Sequence, residues 1–311
     1  MRKIKRAVIS VWDKTHLVEL AKFLSSNNIE IISTGGTKEI LEQSNIPVRS
    51  VSSLTKQKEI MDGRVKTIHP NLFGGILADR LNKNHVEDLN QIDSKLIDLV
   101  VINLYPFRIE AVEKKLELEK SIEFIDIGGP SMLRAAAKNF KNVIPICKPD
   151  QYKNFINQFK SNNGLFSDIE RINYAKSVFE LTYNYDLEIN QYFKNYKIDT
   201  ENELLPSNFK FSLNKETNLR YGENPHQESA YYLPTNQKIP WKKIQGKKLS
   251  YNNYLDMESA SSIAYEFNNL CCVIIKHSNP CGFGFGNNNI QAYKNAVSTD
   301  PISYFGGIVA F

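Results

Sequence analysis

Apolar runs of strand length alternate with amphipathic runs of helix length along the first half of the chain. The pattern predicts strands over residues 7–11, 29–33, 48–51, 99–103 and 143–146. It predicts helices over residues 15–26, 37–43, 131–139 and 150–160. Such alternation is typical of an α/β fold in which helices cover both faces of a parallel sheet. Ligands of these sheets bind beyond the carboxyl ends of the strands, so we expect the chemistry in the loops that follow them.

A second pattern begins beyond the middle of the chain. A polar, glycine-containing break over residues 162–168 leads into a long helical run, 169–196, that is rich in tyrosine and phenylalanine. From about residue 209 the predicted strands are shorter, and a helix is predicted over 256–267. The change of pattern indicates a second domain of different architecture.

Chain length also favours two domains. A boundary near residues 197–208 gives domains at 1–197 and 208–311, each large enough to bury its own core. The apolar run over residues 308–311 follows a Gly-Gly turn and predicts a buried strand. Because chain termini usually lie at the surface of a domain, we expect this chain to be truncated within its second domain.

The overall composition is that of a soluble globular protein, with 41% hydrophobic and 23% charged residues. The net charge of +5 is mild, and four lysines within residues 241–248 are typical of a solvated surface, so we expect no nucleic-acid partner. No apolar run reaches the length of a membrane span or a signal-peptide core, which favours a cytoplasmic protein without a membrane partner. The four cysteines form no Cys-x-x-Cys pair, so we expect neither a disulfide framework nor a metal site.

Two loops that follow predicted strands carry the groups of an anion site. Hydroxyl, lysine and glycine residues stand where the first two strands lead into helices: Ser10, Lys14, Thr34, Gly35, Gly36 and Thr37. Helix N-termini present unpaired N–H groups, and glycines let the backbone approach an anion, so a phosphate pocket is one interpretation. The other is a pair of ordinary capped turns. The chain has no Walker sequence and no Gly-x-Gly-x-x-Gly, which disfavours ATP or NAD.

Residues 59–70 bring several polar groups into a short run. Arg64 and Lys66 are two residues apart and share one face if the run is extended, with Thr67 beside them. Two cations on one face predict a site for an anionic substrate, while the alternative is a solvated loop.

A further strand-to-helix segment follows the strand predicted over residues 99–103. Tyr105 lies in the loop after that strand, and Asp126 precedes a predicted helix. On that helix, Arg134 and Lys138 are four residues apart and share a face. The segment is either part of the same site or a core strand with an amphipathic helix, in which Asp126 pairs with one of the two cations.

The first half of the chain resembles the IMP cyclohydrolase domain of the bifunctional purine biosynthesis enzymes, in which one chain carries AICAR transformylase and IMP cyclohydrolase activities. Five segments carry the resemblance and match in order: 10–15, 33–37, 62–70, 103–107 and 125–139. The resemblance implies a fold like methylglyoxal synthase. It also implies the closure of FAICAR to IMP with loss of water, without a cofactor.

The resemblance implies roles for individual residues as well. Lys66 and Tyr105 are expected at the reacting groups. Asp126 is expected to handle the carboxamide, and Lys138 to support charge and proton transfer. The phosphate and ribose are expected to bind Ser10, Lys14, Thr34, Gly35, Gly36 and Thr37, with Arg64 and Thr67 completing the pocket. Trp12 stands where many relatives carry a small hydroxyl residue, which puts one phosphate contact in question.

The second half has a candidate pair of its own at a strand end. Lys276 and His277 follow an apolar strand and could shuttle protons near neutral pH, or they could be an ordinary solvent-facing pair. The second half resembles the AICAR transformylase domain of the same family, an α/β domain similar to cytidine deaminase, and this implies Lys276 and His277 as its proton-transfer pair. Four strings carry the resemblance: 219–227, 246–256, 275–282 and 300–307.

This second resemblance implies transfer of a formyl group from 10-formyltetrahydrofolate to AICAR, with Arg220, Tyr221 and Asn253 contacting AICAR. In this family the transformylase sites form between the two subunits of a homodimer, and full-length relatives continue well beyond Phe311. We therefore expect cyclohydrolase activity from residues 1–200 and little or no transformylase activity.

Two other functions fit parts of the sequence. A phosphosugar lyase with a methylglyoxal-synthase-like fold would need a dedicated carboxylate base beside the phosphate pocket, and it would not account for the second half. A regulatory module that binds purine nucleotides would bind IMP or AICAR without turnover.

Overall fold

The computed structural model describes residues 3–196, 211–234 and 237–311. The chain divides into two compact units, residues 1–200 and 201–311, and each is described by itself. The boundary predicted near 197–208 lies outside the described residues.

The first unit alternates strands and helices. In chain order the elements are β1 (Arg6–Val11), α1 (Leu17–Ser26), β2 (Glu30–Ser33), α2 (Gly35–Gln43), β3 (Arg49–Ser50), α3 (Val51–Thr55), α4 (Pro70–Leu77), α5 (Lys83–Gln91), β4 (Leu99–Asn103), α6 (Leu118–Ser121), α7 (Gly128–Lys138), β5 (Ile144–Ile146), α8 (Gln151–Ser161) and α9 (Asp168–Asn195). A π-helical turn, Arg108–Glu113, and a 3₁₀ turn, Ile122–Phe124, lie between β4 and α7.

The five strands form one parallel sheet in the order β3-β2-β1-β4-β5. Along β1, β2 and β4, neighbouring apolar residues enter different cores. Val8 and Val100 lie in one buried cluster with α4, α7 and α9, whereas Ile9 and Val101 lie in the other with α1 and α8. Both faces are therefore buried, as parallel sheets require, and the predicted fold class is confirmed for this unit. Parallel pairing also brings the carboxyl ends of β1, β2 and β4 to one rim of the sheet.

Helix α4 was not predicted from the sequence, and its glycines explain why. Its sequence contains Gly74 and Gly75, and glycine disfavours the helix interior. A side chain at position 75 would place its Cβ 2.4 Å from the carbonyl oxygen of Lys95, so close packing requires glycine there. Pro70 occupies the first turn, where its missing N–H is no loss, and the His69 ring accepts a hydrogen bond from the Asn71 N–H. His69 is therefore a helix cap.

The second unit begins with an antiparallel pair of strands, β6 (Leu213–Asn218) and β7 (Ala230–Pro234). The remaining elements, in chain order, are α10 (Tyr251–Tyr265), β8 (Cys271–Lys276), β9 (Asn279–Phe285), α11 (Asn289–Thr299) and β10 (Ile308–Ala310). Strands β10, β8 and β9 form an antiparallel sheet in that order.

Strand β8 lies at the centre of that sheet and serves two small cores. Cys271, Val273 and Ile275 pack in one cluster with Ala260 of α10. Cys272 and Ile274 pack in the other with Ala292 and Ala296 of α11. The adjacent residues Cys271 and Cys272 therefore face opposite sides of the strand.

The strand predicted over residues 308–311 forms, but the prediction that it is buried is wrong. β10 pairs only with β8 within the described residues and lies at the edge of the sheet. Val309 is 39% exposed and Phe311 is 55% exposed. Apolar composition alone does not separate an edge strand from a central one, because both are half-buried on the face that meets a helix.

None of the helices in the described ranges is both long enough and apolar enough to cross a membrane. Nor do three or more His, Cys, Asp or Glu side chains there come together as a group able to hold a metal ion. Cys147, Cys271, Cys272 and Cys281 are free thiols.

Candidate functional site at the strand ends

Thr37 joins the loop after β1 to the first turn of α2. Its hydroxyl donates to the Val11 carbonyl at 3.0 Å and accepts from the Val11 N–H at 3.1 Å. The Lys14 Nζ lies 3.3 Å from the same hydroxyl and also donates to the Val11 carbonyl. Burial lowers the pKa of Lys14. An ammonium group is thus fixed beside the N-terminus of a helix. Ser10 precedes Val11 in β1 and pairs with Ile102 of β4, so it reaches the same rim.

The 34–37 turn presents open backbone at the start of α2. Gly35 has a φ of +52°, which favours glycine, and a Cβ on Gly36 would meet nothing within 4 Å. The Thr34 side chain does not cap the helix. Its hydroxyl instead donates to Glu59 Oε1 at 2.8 Å. The N–H groups of the first turn are therefore left for an anion, which such a helix end favours by its dipole.

Lys66 lies between this turn and Asp126. A Cβ on Gly35 would be 4.0 Å from Lys66 Nζ, which brings the ammonium group to the turn. The positive charge of Lys66 also reaches Asp126, where it opposes the effect of burial. Burial is the larger influence, and the net result is a raised pKa for the Asp126 carboxyl.

Asp126 is held against the first turn of α7. Its Oδ1 accepts a hydrogen bond from the Gly129 N–H at 2.8 Å. A Cβ on Gly129 would lie 2.3 Å from Asp126 Oδ2, and one on Gly128 would lie 2.5 Å from the hydroxyl oxygen of Thr67. Both glycines are therefore needed for the close approach of Asp126 and Thr67 to the helix. This contact explains why α7 begins three residues before its predicted start.

Tyr105 lies at the same rim, where its ring contacts Trp12. Their rings meet edge to face with centroids 4.8 Å apart. The Asn103 side chain fixes the Trp12 loop, accepting from the N–H groups of Trp12 and Asp13 and donating to the Asp13 carbonyl. Trp12 therefore supports Tyr105. We name Lys14, Gly35, Lys66, Thr67 and Asp126 the strand-end cluster, and Tyr105 lies at its edge.

Arg64 does not share a face with Lys66, because the run over residues 59–69 is not extended. Residues 61–64 form a turn, closed by a bridge between Ile60 and Val65. The Arg64 guanidinium forms an ion pair with Glu123, and its side chain is 66% exposed. The prediction of one two-cation face is wrong, since Lys66 turns to Gly35 and Asp126.

Lys138 lies away from the strand-end cluster. It is the last residue of α7, whereas Asp126 precedes the first, and an eleven-residue helix is about 16 Å long. The helix runs from the strand-end rim toward the opposite edge, where the neighbouring Asn139 donates to the carbonyls of Ile76 and Ala78. The structure therefore does not bring Lys138 to the groups with which it was predicted to act.

The residues predicted to contact AICAR lie close together in the second unit, and their side chains already have partners. The Arg220 guanidinium stacks 4.6 Å from the Tyr221 ring and donates to its hydroxyl at 2.8 Å. The backbone N–H of Tyr251 donates to the Tyr221 carbonyl, which ties this pair to the start of α10. Asn253 forms a capping box with Ser250 at the same helix end. A helix cap therefore accounts for Asn253 without a ligand.

Lys276 and His277 lie at the tight turn between β8 and β9. His277 and Ser278 have φ values of +54° and +60°, and the turn is fixed by a hydrogen bond from the Ser278 N–H to Asp256 Oδ1. A two-residue β-hairpin turn of type I′ requires positive φ at both of its central residues, so the hairpin itself accounts for this backbone. His277 is exposed, and the Lys276 Nζ lies 3.4 Å from the Ser303 carbonyl oxygen.

Three residues that contact the predicted site residues were not identified from the sequence. Glu59 and Glu123 each hold a group that was predicted to bind phosphate. Tyr185, from the middle of α9, contacts the backbone of Asp126. The two glutamates look like ordinary surface acids in the sequence, and the helical pattern around Tyr185 shows only that its ring is buried.

The chain resembles known proteins over its whole length. Residues 16–131 match the MGS-like domain family, and residues 136–311 match the AICARFT/IMPCHase bienzyme family. The chain is 44% identical over 309 residues to the bifunctional purine biosynthesis protein PurH of Leptospira biflexa. It is 46% identical over 314 residues to the protein of the same name from Fusobacterium nucleatum. Each alignment covers 99% of this chain and 60% of the relative, so the chain spans about 60% of the length of these relatives.

A solved structure, "Crystal structure of ForH", is similar with a TM-score of 0.54 and 30% sequence identity, and the match covers 61% of this chain and 98% of that one. The match is longer than the second unit, so it includes much of the first. The family model for the larger part of the chain, together with the MGS-like match, confirms the family predicted from the sequence motifs. This chain belongs to the AICARFT/IMPCHase bienzyme family.

Proposed function

We propose that the first unit closes FAICAR to IMP at the strand-end cluster. The observation that carries the proposal is the position of Lys66, whose ammonium group lies beside the 34–37 turn and acts on the charge of Asp126. A phosphate at the turn would place the rest of a nucleotide toward the carboxylate. Membership of the bienzyme family supports the choice of substrate.

The phosphate would bind where α2 begins. The open backbone at Gly36 and the Lys14 ammonium supply donors, and Ser10 and Thr37 line the same rim. The hydroxyl of Thr34 would join them after it leaves Glu59. A helix N-terminus with nearby cations stabilises an anion without further reorganisation. Arg64 would join these donors after it leaves Glu123.

The reacting groups would lie between Lys66, Asp126 and Tyr105. The carboxamide nitrogen attacks the formyl carbon, and negative charge develops on the formyl oxygen. That oxygen takes up one proton from the carboxamide nitrogen and one from the formamide nitrogen, and it leaves as water while the formamide nitrogen forms the C=N bond of the ring. Lys66 stabilises this charge, and Asp126 orients the carboxamide and accepts its proton. Tyr105 closes the side of the pocket at Trp12. Positioning and charge stabilisation are sufficient for this reaction, so no covalent intermediate is needed.

We propose a second activity for the second unit. In a full-length homodimer, Lys276 and His277 would move protons while a formyl group passes from 10-formyltetrahydrofolate to AICAR, with Arg220 and Tyr221 at the AICAR side. The pair lies at the end of β8, where the exposed imidazole of His277 is open to a ligand. The chain spans about 60% of the length of its relatives, so we propose the transformylase activity for the full-length protein. The cytoplasm remains our predicted location.

The test is a direct assay of the 311-residue chain with FAICAR. We expect the absorbance change of IMP formation, with IMP identified by mass. A phosphorylated triose serves as the substrate control, since a lyase of similar fold would turn it over. Tight binding of IMP without turnover of FAICAR would instead support a regulatory binding module.

A further inference from the structure

We propose that Tyr185 is a positioning residue for Asp126, holding the carboxylate in place for the reaction proposed above. Tyr185 projects from α9 and is 7% exposed. Its hydroxyl accepts a hydrogen bond from the Asp126 N–H at 2.7 Å and donates to the Phe124 carbonyl at 3.1 Å. One hydroxyl thus satisfies two backbone groups on either side of Ile125.

The short segment between the 3₁₀ turn and α7 depends on this contact. Asp126 is fixed at its side chain by the Gly129 N–H and at its backbone by Tyr185. Without the Tyr185 hydroxyl, the Asp126 N–H and the Phe124 carbonyl would lose their partner and would have to find water. The segment would then shift, and the carboxylate would move relative to Lys66.

A role in packing alone is the alternative. The Tyr185 ring belongs to the large core cluster that lies under α7, so a bulky residue is needed there in any case. Tyr185→Phe keeps the ring and removes only the hydroxyl, which separates the two roles. The same helix provides a matched control, since Tyr174 is 4% exposed and its hydroxyl donates to Gln158 Oε1, a partner on α8.

The first experiment follows the Asp126 carboxyl by NMR in protein labelled with ¹³C-aspartate, with Asp126→Asn assigning the signal. Lys66 is the charged group that faces this carboxyl, and burial raises the pKa of the Asp126 carboxyl in the intact protein. In Tyr185→Phe, water reaches the loosened segment, so we expect the titration midpoint to fall toward the ordinary aspartate value. In Tyr174→Phe we expect no change. An unchanged midpoint in Tyr185→Phe, or the same change in both variants, would overturn the proposal.

A second experiment needs no variant. The Asp126 amide of the wild-type chain is expected to exchange its hydrogen slowly, because the proton is donated to a buried hydroxyl. Exchange at the rate of an exposed amide would contradict the contact. Both NMR experiments are independent of turnover, so they judge Tyr185 even if FAICAR proves not to be the substrate.

The activity assay provides the functional readout. A misplaced reacting group lowers the rate of the chemical step more than it weakens binding, so we expect kcat of Tyr185→Phe to fall roughly 10- to 100-fold. KM should change by less than about three-fold, since Tyr185 makes none of the proposed phosphate contacts. Equal kcat values for Tyr185→Phe and Tyr174→Phe would refute a positioning role, whereas an inactive wild type would refute the proposed substrate instead.

Discussion

The two units differ in how they hold the residues predicted to act. In the first unit, Thr37, Thr67 and Asp126 are fixed by contacts that leave Lys66 and the open 34–37 turn facing one region. In the second unit, Arg220 is stacked on Tyr221, Asn253 caps its own helix, and His277 is exposed at a turn. The first arrangement is preorganised, since the loops are already held by the protein before any ligand binds.

The hydrophobic cores of the two units also differ in size. Two large clusters bury both faces of the first sheet, whereas the described part of the second unit has two clusters of four fully buried residues each. A larger core allows loops at the strand ends to be held rigidly, which is what preorganised catalysis requires. The difference supports our proposal that the cyclisation site lies in the first unit.

The largest expected effect comes from Lys66. Lys66→Ala should lower cyclisation of FAICAR roughly 100- to 1,000-fold, as loss of one donor to a developing oxyanion does. Nucleotide binding should change much less, because Lys14 and the 34–37 turn remain. The measurement is steady-state turnover together with IMP affinity by calorimetry.

Lys56→Ala is the control for that experiment, because Lys56 pairs with Asp93 and its side chain is 72% exposed. Its turnover should match the wild type. Lys138→Ala adds a test of the geometry, since the length of α7 predicts a much smaller loss than for Lys66. A loss as large as that of Lys66 would contradict the separation of Lys138 from the site within one chain.

Gly129→Ala should have the next largest effect. The added Cβ would lie 2.3 Å from Asp126 Oδ2, so the carboxylate must move. We expect a loss of about 1–3 kcal/mol in the free energy of unfolding, as overpacking causes, and a fall in kcat. Thermal unfolding and turnover measure the two effects. Wild-type kcat in a folded Gly129→Ala protein would mean that Asp126 does not need its present position.

Asn253→Ala tests whether the second unit uses this residue as a cap. Loss of the capping box should cost about 1 kcal/mol of stability. Tyr254 lies on the same helix as Asn253, and its ring centroid is 5.8 Å from that of Trp241. The fluorescence of Trp241 in a Trp12→Phe background therefore reports the unfolding of this region. Asn253→Asp keeps the acceptor oxygen and should restore most of the stability. Equal stability of Asn253→Ala and the wild type would exclude a capping role.

The smallest expected effect concerns Glu123. Glu123→Gln frees Arg64 from an exposed ion pair, and such pairs contribute about 0.2–1 kcal/mol, so IMP should bind about two- to five-fold more tightly. Quenching of Trp12, in a Trp241→Phe background, measures the affinity because Trp12 contacts Tyr105. Glu119→Gln, at an exposed neighbour on α6, is the control. Weaker binding by Glu123→Gln would mean that the ion pair itself shapes the site.

The parallel sheet was predictable because its strands are apolar runs in alternation with helices. All five strands of the first unit formed near their predicted positions, although β3 has only two residues. Helix α4 was not predictable, since its glycines disfavour a helix and their reason is the tertiary contact of Gly75 with Lys95.

The contacts of the candidate site were less predictable than the loops that carry it. Glycine-rich strand ends indicated the 34–37 turn, and motif resemblance indicated Lys66 and Asp126. The side-chain pairs Arg64–Glu123 and Thr34–Glu59, and the Tyr185 contact, join residues 25 to 61 positions apart. Such pairs depend on how the loops fold over the sheet, and no local pattern in one sequence specifies that.

The most direct test of the account is a crystal structure of the chain with IMP bound. We predict the phosphate on the N-terminal N–H groups of α2 beside Lys14, and the purine ring between Lys66, Tyr105 and Asp126. Arg64 should have left Glu123 for the phosphate. IMP bound away from the 34–37 turn, with Lys66 and Asp126 untouched, would contradict the central claim that the strand-end cluster is the cyclisation site.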